Sequence, residues 1–334
     1  VERDTQPFPS QDARRRTTKI AVVGAGSVGT SVAYAALVRG AARTVALYDI
    51  NAAKVEAEAL DLAHGIQFMP MADVEGSDDV AVCAGADVVV VTAGAKQKPG
   101  QSRLDLAEAT IALVRRMMPQ LVEVAPHAVY LMVTNPVDVV TYAALKVSGL
   151  PDNQVFGSGT VLDSSRLRYL IAKHTGVAVQ NIHAYIAGEH GDSEIPLWSS
   201  ATIGAVPLTQ WPGIAGPDGQ VAGRLEDEDR RRIAEDVVSS AYRIIAGKGA
   251  TNHAIGLAGS RIIEAVLGDE RRVLPVSSLL TDYLGIDDVC LSVPSIVGGS
   301  GVSSRLEVSM SHAELAGLRR SAEALRDVAR RLGL

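Results

Sequence analysis

Apolar and polar positions alternate in blocks along the first half of the chain. Compact apolar runs at Ile20–Val23, Thr44–Tyr48, Ala86–Gly94 and Ala128–Val133 are bounded by glycine, aspartate and other turn residues. Runs of this length, apolar at nearly every position, predict strands covered on both faces. Between them, longer segments at Ser31–Val38, Ala52–Gly65, Leu104–Val124 and Val137–Ser148 read as helices, with a weak strand near Ala72–Val74. Strands alternating with helices over residues 19–150 predict a doubly wound parallel sheet, with ligands bound beyond the carboxyl ends of its strands. After Pro151 the pattern changes. A long helix is expected over Val161–Thr175 and a short strand over Ile182–Ile186, and Pro207–Gly223 reads as a surface loop. The acidic cluster at Glu226–Asp229 suits a helix start, with that helix running to about Ile245 and another over about Thr251–Leu267. Strand-like runs at Arg272–Leu279 and Val289–Val297 are expected to form a separate sheet, and Ser311–Leu332 an amphipathic closing helix.

Composition narrows the picture. The 334 residues are 47% hydrophobic but only 4% aromatic, so the cores must rest on valine, isoleucine, leucine and alanine. A net charge of −6 lacks the basic footprint of a nucleic-acid binder. No run reaches the length of a membrane span, so no membrane partner is expected. Cys83 and Cys290 lie among apolar neighbours, which predicts buried thiols in a reduced, cytoplasmic setting. Residues 1–17 are polar and read as a mobile tail. No metal-ligand spacing occurs.

The first apolar run leads directly into Gly24-Ala-Gly-Ser-Val-Gly29 and then a helix. That is the context in which G-x-G-x-x-G binds a dinucleotide: Gly24 for the tight turn, Gly26 for the approach of a pyrophosphate, Gly29 for close helix packing. Asp49, 20 residues after Gly29 at the end of the second run, is placed to accept hydrogen bonds from a ribose and favours NAD over NADP. These features make the first part a Rossmann domain. The polar stretch Ala95–Arg103 between a buried strand and a helix is either an active-site lid or a plain surface connection. Farther on, Asp163 and Arg166 share a helix face, and His190 stands on a turn between Gly188 and Gly191. Histidine titrates near neutral pH, a carboxylate on its second nitrogen fixes its tautomer, and arginine grips carboxylates through two parallel bonds. Beside a dinucleotide, such a set suits oxidation and reduction of a hydroxy acid.

Six ordered motifs carry a family resemblance: GAGSVG, TAGAKQKPGQSRLDL, TNPVDVVTY, GSGTVLDSSRLR, GEHGDSEIP and GKGAT. Over residues 19–330 the chain resembles the L-lactate/L-malate dehydrogenase family, most closely its bacterial L-lactate dehydrogenases. The resemblance implies an α/β protein divided into the tail, an NAD-binding Rossmann domain at residues 18–158 and an α+β substrate domain at 159–334. It implies that His190 is the proton donor and acceptor, oriented by Asp163, that Arg166 binds the substrate carboxylate and that Arg103 polarises the reacting carbonyl. Gln97, Asn135 and Thr251 complete the substrate site. Gly24, Gly26, Val28, Gly29, Asp49, Lys54, Gly94, Ala95, Thr134, Asn135 and Ser158 are implied to hold NAD. Gln97 stands where malate dehydrogenases of the family carry arginine, so pyruvate and L-lactate are the expected pair, with a malate or broader 2-hydroxyacid dehydrogenase as the alternative. Arg168 and His183 match the positions that bind fructose 1,6-bisphosphate in activated bacterial members, and a cytoplasmic homotetramer is implied. A non-catalytic protein that kept the fold is opposed by the joint presence of His190, Asp163, Arg166 and Arg103. The chain departs from the usual pattern at Gln101, at Thr110 in place of an asparagine, and at Thr251-Asn-His-Ala, where His253 is an extra donor.

Overall fold

The computed structural model describes residues 18–95 and 103–334, the side chain of Arg103 excepted. The tail, Gln97 and Gln101 lie outside the described residues. Five strands form the parallel sheet: β1 (Lys19–Val23), β2 (Thr44–Tyr48), β3 (Asp73–Ser77), β4 (Val88–Val91) and β5 (Val129–Met132), joined by β6 (Val155–Gly157). The helices between them are α1 (Ser27–Arg39), α2 (Ala52–His64), α3 (Arg103–Val124) and α4 (Val137–Ser148). Residues along a strand point to alternate faces, and each face has its own core. Ile20, Val22, Val88 and Val90 join one apolar cluster, while Ala21, Val23, Val89 and Val91 join the other. This is why the runs read apolar at every position.

The second half contains α5 (Val161–Thr175), α6 (Asp227–Lys248), α7 (His253–Leu267) and α8 (His312–Arg331). Its long strands are β7 (Arg272–Leu280), β8 (Val289–Gly298) and β9 (Gly301–Arg305). They do not form the expected separate sheet. β7 pairs antiparallel with β6 through Ser277 and Gly157, giving among the described residues one nine-stranded sheet in the order β9-β8-β7-β6-β5-β4-β1-β2-β3. The physical reason is the open edge that β6 would otherwise leave. Small residues at the seam allow the close approach: a Cβ on Gly157 would lie 3.2 Å from that of Ser277.

Smaller expectations also change. The Ile182–Ile186 strand is two short strands, Ile182–His183 and Ile186–Ala187. The Pro207–Gly223 loop holds a small hairpin, Ile214–Ala215 with Val221–Ala222. The weak strand near Ala72–Val74 is the full β3, and β9 had no clear apolar signature in the sequence. Helix ends follow capping chemistry: Ser311 and Glu314 form a capping box at α8, Glu226 and Asp229 another at α6.

Candidate active site

The carboxyl ends of β1, β2, β4, β5 and β6 meet on one rim, stitched by hydrogen bonds. Asp49 Oδ2 accepts from Ala25 N at 2.8 Å and its Oδ1 from Asn51 N at 3.0 Å. Thr92 Oγ1 donates to Gly24 O at 3.0 Å, Thr134 Oγ1 to Ala93 O at 2.8 Å, and Ser158 N to Met132 O at 2.8 Å. Gly94 faces Thr134 closely, and Ala95 N donates to Thr110 Oγ1 at 3.3 Å. Thr110, an unexplained departure in the sequence, therefore anchors the start of the Ala95–Arg103 segment.

The glycine motif fits a dinucleotide. A Cβ on Gly29 would lie 1.9 Å from Gly24 O, whereas a Cβ on Gly26 would meet nothing within 4 Å, which leaves open space over the loop. Gly26 caps α1 without any side-chain acceptor, so the first-turn N–H groups of the helix face that space. Val28 packs against the core from this turn. Asp49 keeps lone pairs beyond its two backbone donors for ribose hydroxyls. Lys54 is exposed on α2, near the same end.

Across the rim, the His190 turn is built by three separate elements. Gly188 has φ +96°, a left-handed backbone that a side chain would strain, and its N–H donates to Ser292 O on β8 at 2.9 Å. Glu189 N donates to Ser321 Oγ on α8 and His190 N to Asp138 Oδ2 on α4, both at 2.8 Å. The ring of His190 points at α5, where its Nδ1 lies 2.5 Å from Asp163 Oδ2. With an ionised carboxylate as partner, Nδ1 is the donor and Nε2 faces away from Asp163. Arg166 Nη1 donates to the other oxygen of Asp163, also at 2.5 Å. Asp163 is 1% exposed and the side chain of His190 24%.

Burial alone lowers the pKa of His190, but the charge and hydrogen bond of Asp163 outweigh it, with Asp138 and Glu194 adding to the rise, and hold the imidazole at about 9. Two carboxylates that the sequence quoted without a role belong to this environment. Asp138 is 2% exposed and pushed up to about 6 by burial. Glu194 lies within 4.8 Å of Asp163 and His190, and burial beside Asp163 raises it to about 8. Their signal was present in TNPVDVVTY and GEHGDSEIP, but nothing in the sequence tells a buried carboxylate from an exposed one.

Other expected residues lie apart or outside the description. Asn135 is exposed at the end of β5, before α4, and Thr251 is half-buried between α6 and α7; no hydrogen bond joins either to His190 among the described residues. Gln97 is not described, and of Arg103 only its place at the start of α3 is. Arg168 Nε donates to Ala184 O at 2.8 Å and its guanidinium covers the Tyr185 ring, which sets it beside the strand of the exposed His183.

The sequence profile of the lactate/malate dehydrogenase NAD binding domain matches residues 18–157, and that of the family's alpha/beta C-terminal domain matches residues 160–331. The chain belongs to the lactate/malate dehydrogenase family. Within that family it is 57% identical over 318 residues to the L-lactate dehydrogenase of Bifidobacterium animalis subsp. lactis, covering 95% of this chain and 98% of the relative. It is 44% identical over 316 residues to that of Thermoanaerobacter pseudethanolicus, covering 95% and 99%. A lactate dehydrogenase from a Medee basin deep-sea metagenome library superposes with a TM-score of 0.90 at 36% identity, covering 96% of this chain and all of that one. The minor L-lactate dehydrogenase of Enterococcus mundtii, in its ligands-bound form, gives 0.89 at 38%, covering 95% and 98%. The glycine loop and Asp49 lie within the residues that match the family's NAD binding domain.

Proposed function

We propose that this chain is an NAD-dependent L-lactate dehydrogenase, interconverting L-lactate and pyruvate, with His190 as the group that moves the proton. The observation that carries this is the buried Asp163 carboxylate, which holds the His190 ring on one oxygen and Arg166 on the other. Bound NAD supplies the acceptor and donor of the hydride. The residues of the chain do the rest. Asp163 fixes Nδ1–H, so Nε2 is the atom that takes the hydroxyl proton of lactate or returns one to the ketone oxygen of pyruvate. An imidazole held at about 9 is charged near neutrality and ready to donate. Arg166 has further N–H donors in its fork for a carboxylate, Arg103 is assigned the reacting carbonyl, and Asn135 and Thr251 the substrate's flanks.

NAD contacts are assigned to Gly24, Gly26, Val28, Gly29, Asp49, Lys54, Gly94, Ala95, Thr134, Asn135 and Ser158, and the rim geometry supports that set. The cofactor half is taken as residues 18–158 and the substrate half as 159–334. Gln97 is assigned to substrate choice: a neutral amide leaves the second carboxylate of oxaloacetate unpaired. Assay of NADH oxidation is expected to give a higher kcat/KM with pyruvate than with oxaloacetate, reversed by Gln97→Arg. Comparable values for the two acids would sink the assignment.

Regulation and assembly belong to the same reading. Arg168, bonded to Ala184 O next to the strand that carries the exposed His183, is assigned with His183 to fructose 1,6-bisphosphate, which is expected to raise activity at low pyruvate; no effect of the sugar bisphosphate would end that assignment. A homotetramer is supported by exposed apolar side chains such as Tyr34, Val38 and Leu257. Sedimentation tests it, and a monomer would refute it. Among the described residues no helix is long and apolar enough to cross a membrane. A cytoplasmic location is supported by the two free, buried cysteines.

A further inference from the structure

His190 is held twice: at its ring by Asp163, and at its main chain by Asp138 Oδ2, 2.8 Å from His190 N. Asp138 lies in the first turn of α4, almost wholly buried, and its Oδ1 makes no hydrogen bond. Leaving a carboxylate oxygen buried and unpaired is costly. Some of that cost is offset by the N-terminal end of α4 and by the His190 N–H on the other oxygen. An asparagine would accept the same backbone bond with no charge at all, so the bond alone does not account for a carboxylate here. The charge has a neighbour that uses it, the imidazole one bond network away.

We propose that Asp138 is a positioning residue for the reaction: it pins the main chain of the His190 turn to α4 and lays a second negative charge under the imidazole. This rests on the reading of His190 as the proton-moving group. Among the described residues, the charged groups acting on that ring are Asp163 from α5, Asp138 from α4 and Glu194 from its own turn, with Arg166 bonded to Asp163, Glu189 acting on Asp138 and Asp192 on Glu194 in turn. Asp163 touches the ring directly. Asp138 acts from below, through the backbone and through space, and its charge favours the imidazolium. Behind Asp138 a cavity of about 160 Å³ opens, lined by Tyr142, Cys290, Arg326 and Arg330 among others. The Asp138 side chain thus borders that cavity and also anchors the turn through His190 N. Removing it takes away the anchor and leaves the turn unsupported on that side.

Two variants of the full-length protein separate these effects. Asp138→Asn keeps the shape and the acceptor and deletes the charge. Asp138→Ala deletes both. The His190 ring is followed by NMR titration of ring-labelled histidine, assigned by its loss in His190→Asn, and pyruvate reduction is followed over the same pH range. For Asp138→Asn the ring titration and the alkaline limb of kcat/KM are both expected to move down by about one pH unit, with the low-pH plateau within about threefold of wild type. For Asp138→Ala, kcat is expected to fall about 10- to 100-fold, because a misplaced catalytic group loses that much, with little change in the KM for pyruvate. A purely structural carboxylate would lower thermal stability and leave both pH limbs in place. An unmoved His190 titration in Asp138→Asn overturns the proposal, and so does wild-type kcat in Asp138→Ala; if Asp138→Ala does not fold, Asp138→Asn decides alone. Were the wild type inactive with pyruvate, the functional reading would fail, while the ring titration would still decide what Asp138 does to His190.

Discussion

Replacing Asp163 by asparagine tests the core of the site, because it removes one charge and keeps the shape of the side chain. In the folded protein burial lowers the pKa of His190, and Asp163 more than reverses this, carrying the group from 6.5 to about 9. That net rise corresponds to about 3 kcal/mol of preference for the imidazolium. Without Asp163, burial is opposed only by Asp138 and Glu194, and the ring returns to its ordinary value or below it. Near pH 7 the wild-type ring is almost wholly protonated; in the variant at most about a quarter of it is. The asparagine amide also has one oxygen for two donors, Arg166 and His190, so the ring loses its fixed tautomer as well. Lactate oxidation, in which the neutral ring takes up a proton, is expected to lose up to about 100-fold in kcat/KM in its alkaline plateau, where both rings are neutral, as about 3 kcal/mol dictates; near pH 7 the larger neutral fraction of the variant offsets much of that loss. Pyruvate reduction should become strongly pH-dependent: the variant gains activity on acidification through the neutral range, where the wild type is flat. The assay is NADH absorbance against pH in both directions. An Asp163→Asn enzyme whose alkaline limb still stands near the wild-type position would refute the claim that Asp163 sets the charge of His190.

Three further outcomes follow from the same geometry. Arg166→Lys should raise the KM for pyruvate about 100-fold and kcat should suffer less, because an ammonium cannot reproduce the two-pronged grip; steady-state kinetics checks it. Glu194, raised from 4.5 to about 8 mainly by burial, binds its proton more tightly folded than unfolded, so its contribution to stability is complete below about 4.5 and is lost as pH rises through about 8. Thermal melts of Glu194→Gln should therefore fall less steeply with pH across that window than those of the wild type, and parallel curves would contradict the burial of this carboxylate. Gly29→Ala would drive a methyl group against Gly24 O, a backbone atom that cannot step aside, and should weaken NADH binding at least about 10-fold at a stability cost of about 1–3 kcal/mol, read by fluorescence titration and melting.

Much of this architecture is legible in the residues because it depends on local rules. The alternate burial of Ile20 through Val23 explains why that strand reads as a solid apolar run, and the helix limits Val137–Ser148 and Val161–Thr175 follow from their flanking proline and glycines. Gly24–Gly29 and Asp49 announce themselves through spacing. What escapes is whatever depends on a meeting between distant segments. The pairing of Ser277 with Gly157 merges two expected sheets into one, and no periodicity in either strand specifies its partner. Asp138 reads as an ordinary acid in a helix first turn, where the dipole would welcome it exposed; only the fold shows it buried under His190. Thr110 likewise looks like a loss of an asparagine until Ala95 N is found resting on its hydroxyl.

Three consecutive amides, those of Gly188, Glu189 and His190, donate to β8, α8 and α4 in turn. Such a turn cannot open one residue at a time, since each bond is backed by an element from a different part of the chain. Its amides should exchange with solvent only when the C-terminal helix and the sheet let go together, on the timescale of global unfolding rather than of loop breathing. His190 then stays in place for as long as the protein stays folded, and heat should abolish activity and structure in a single step.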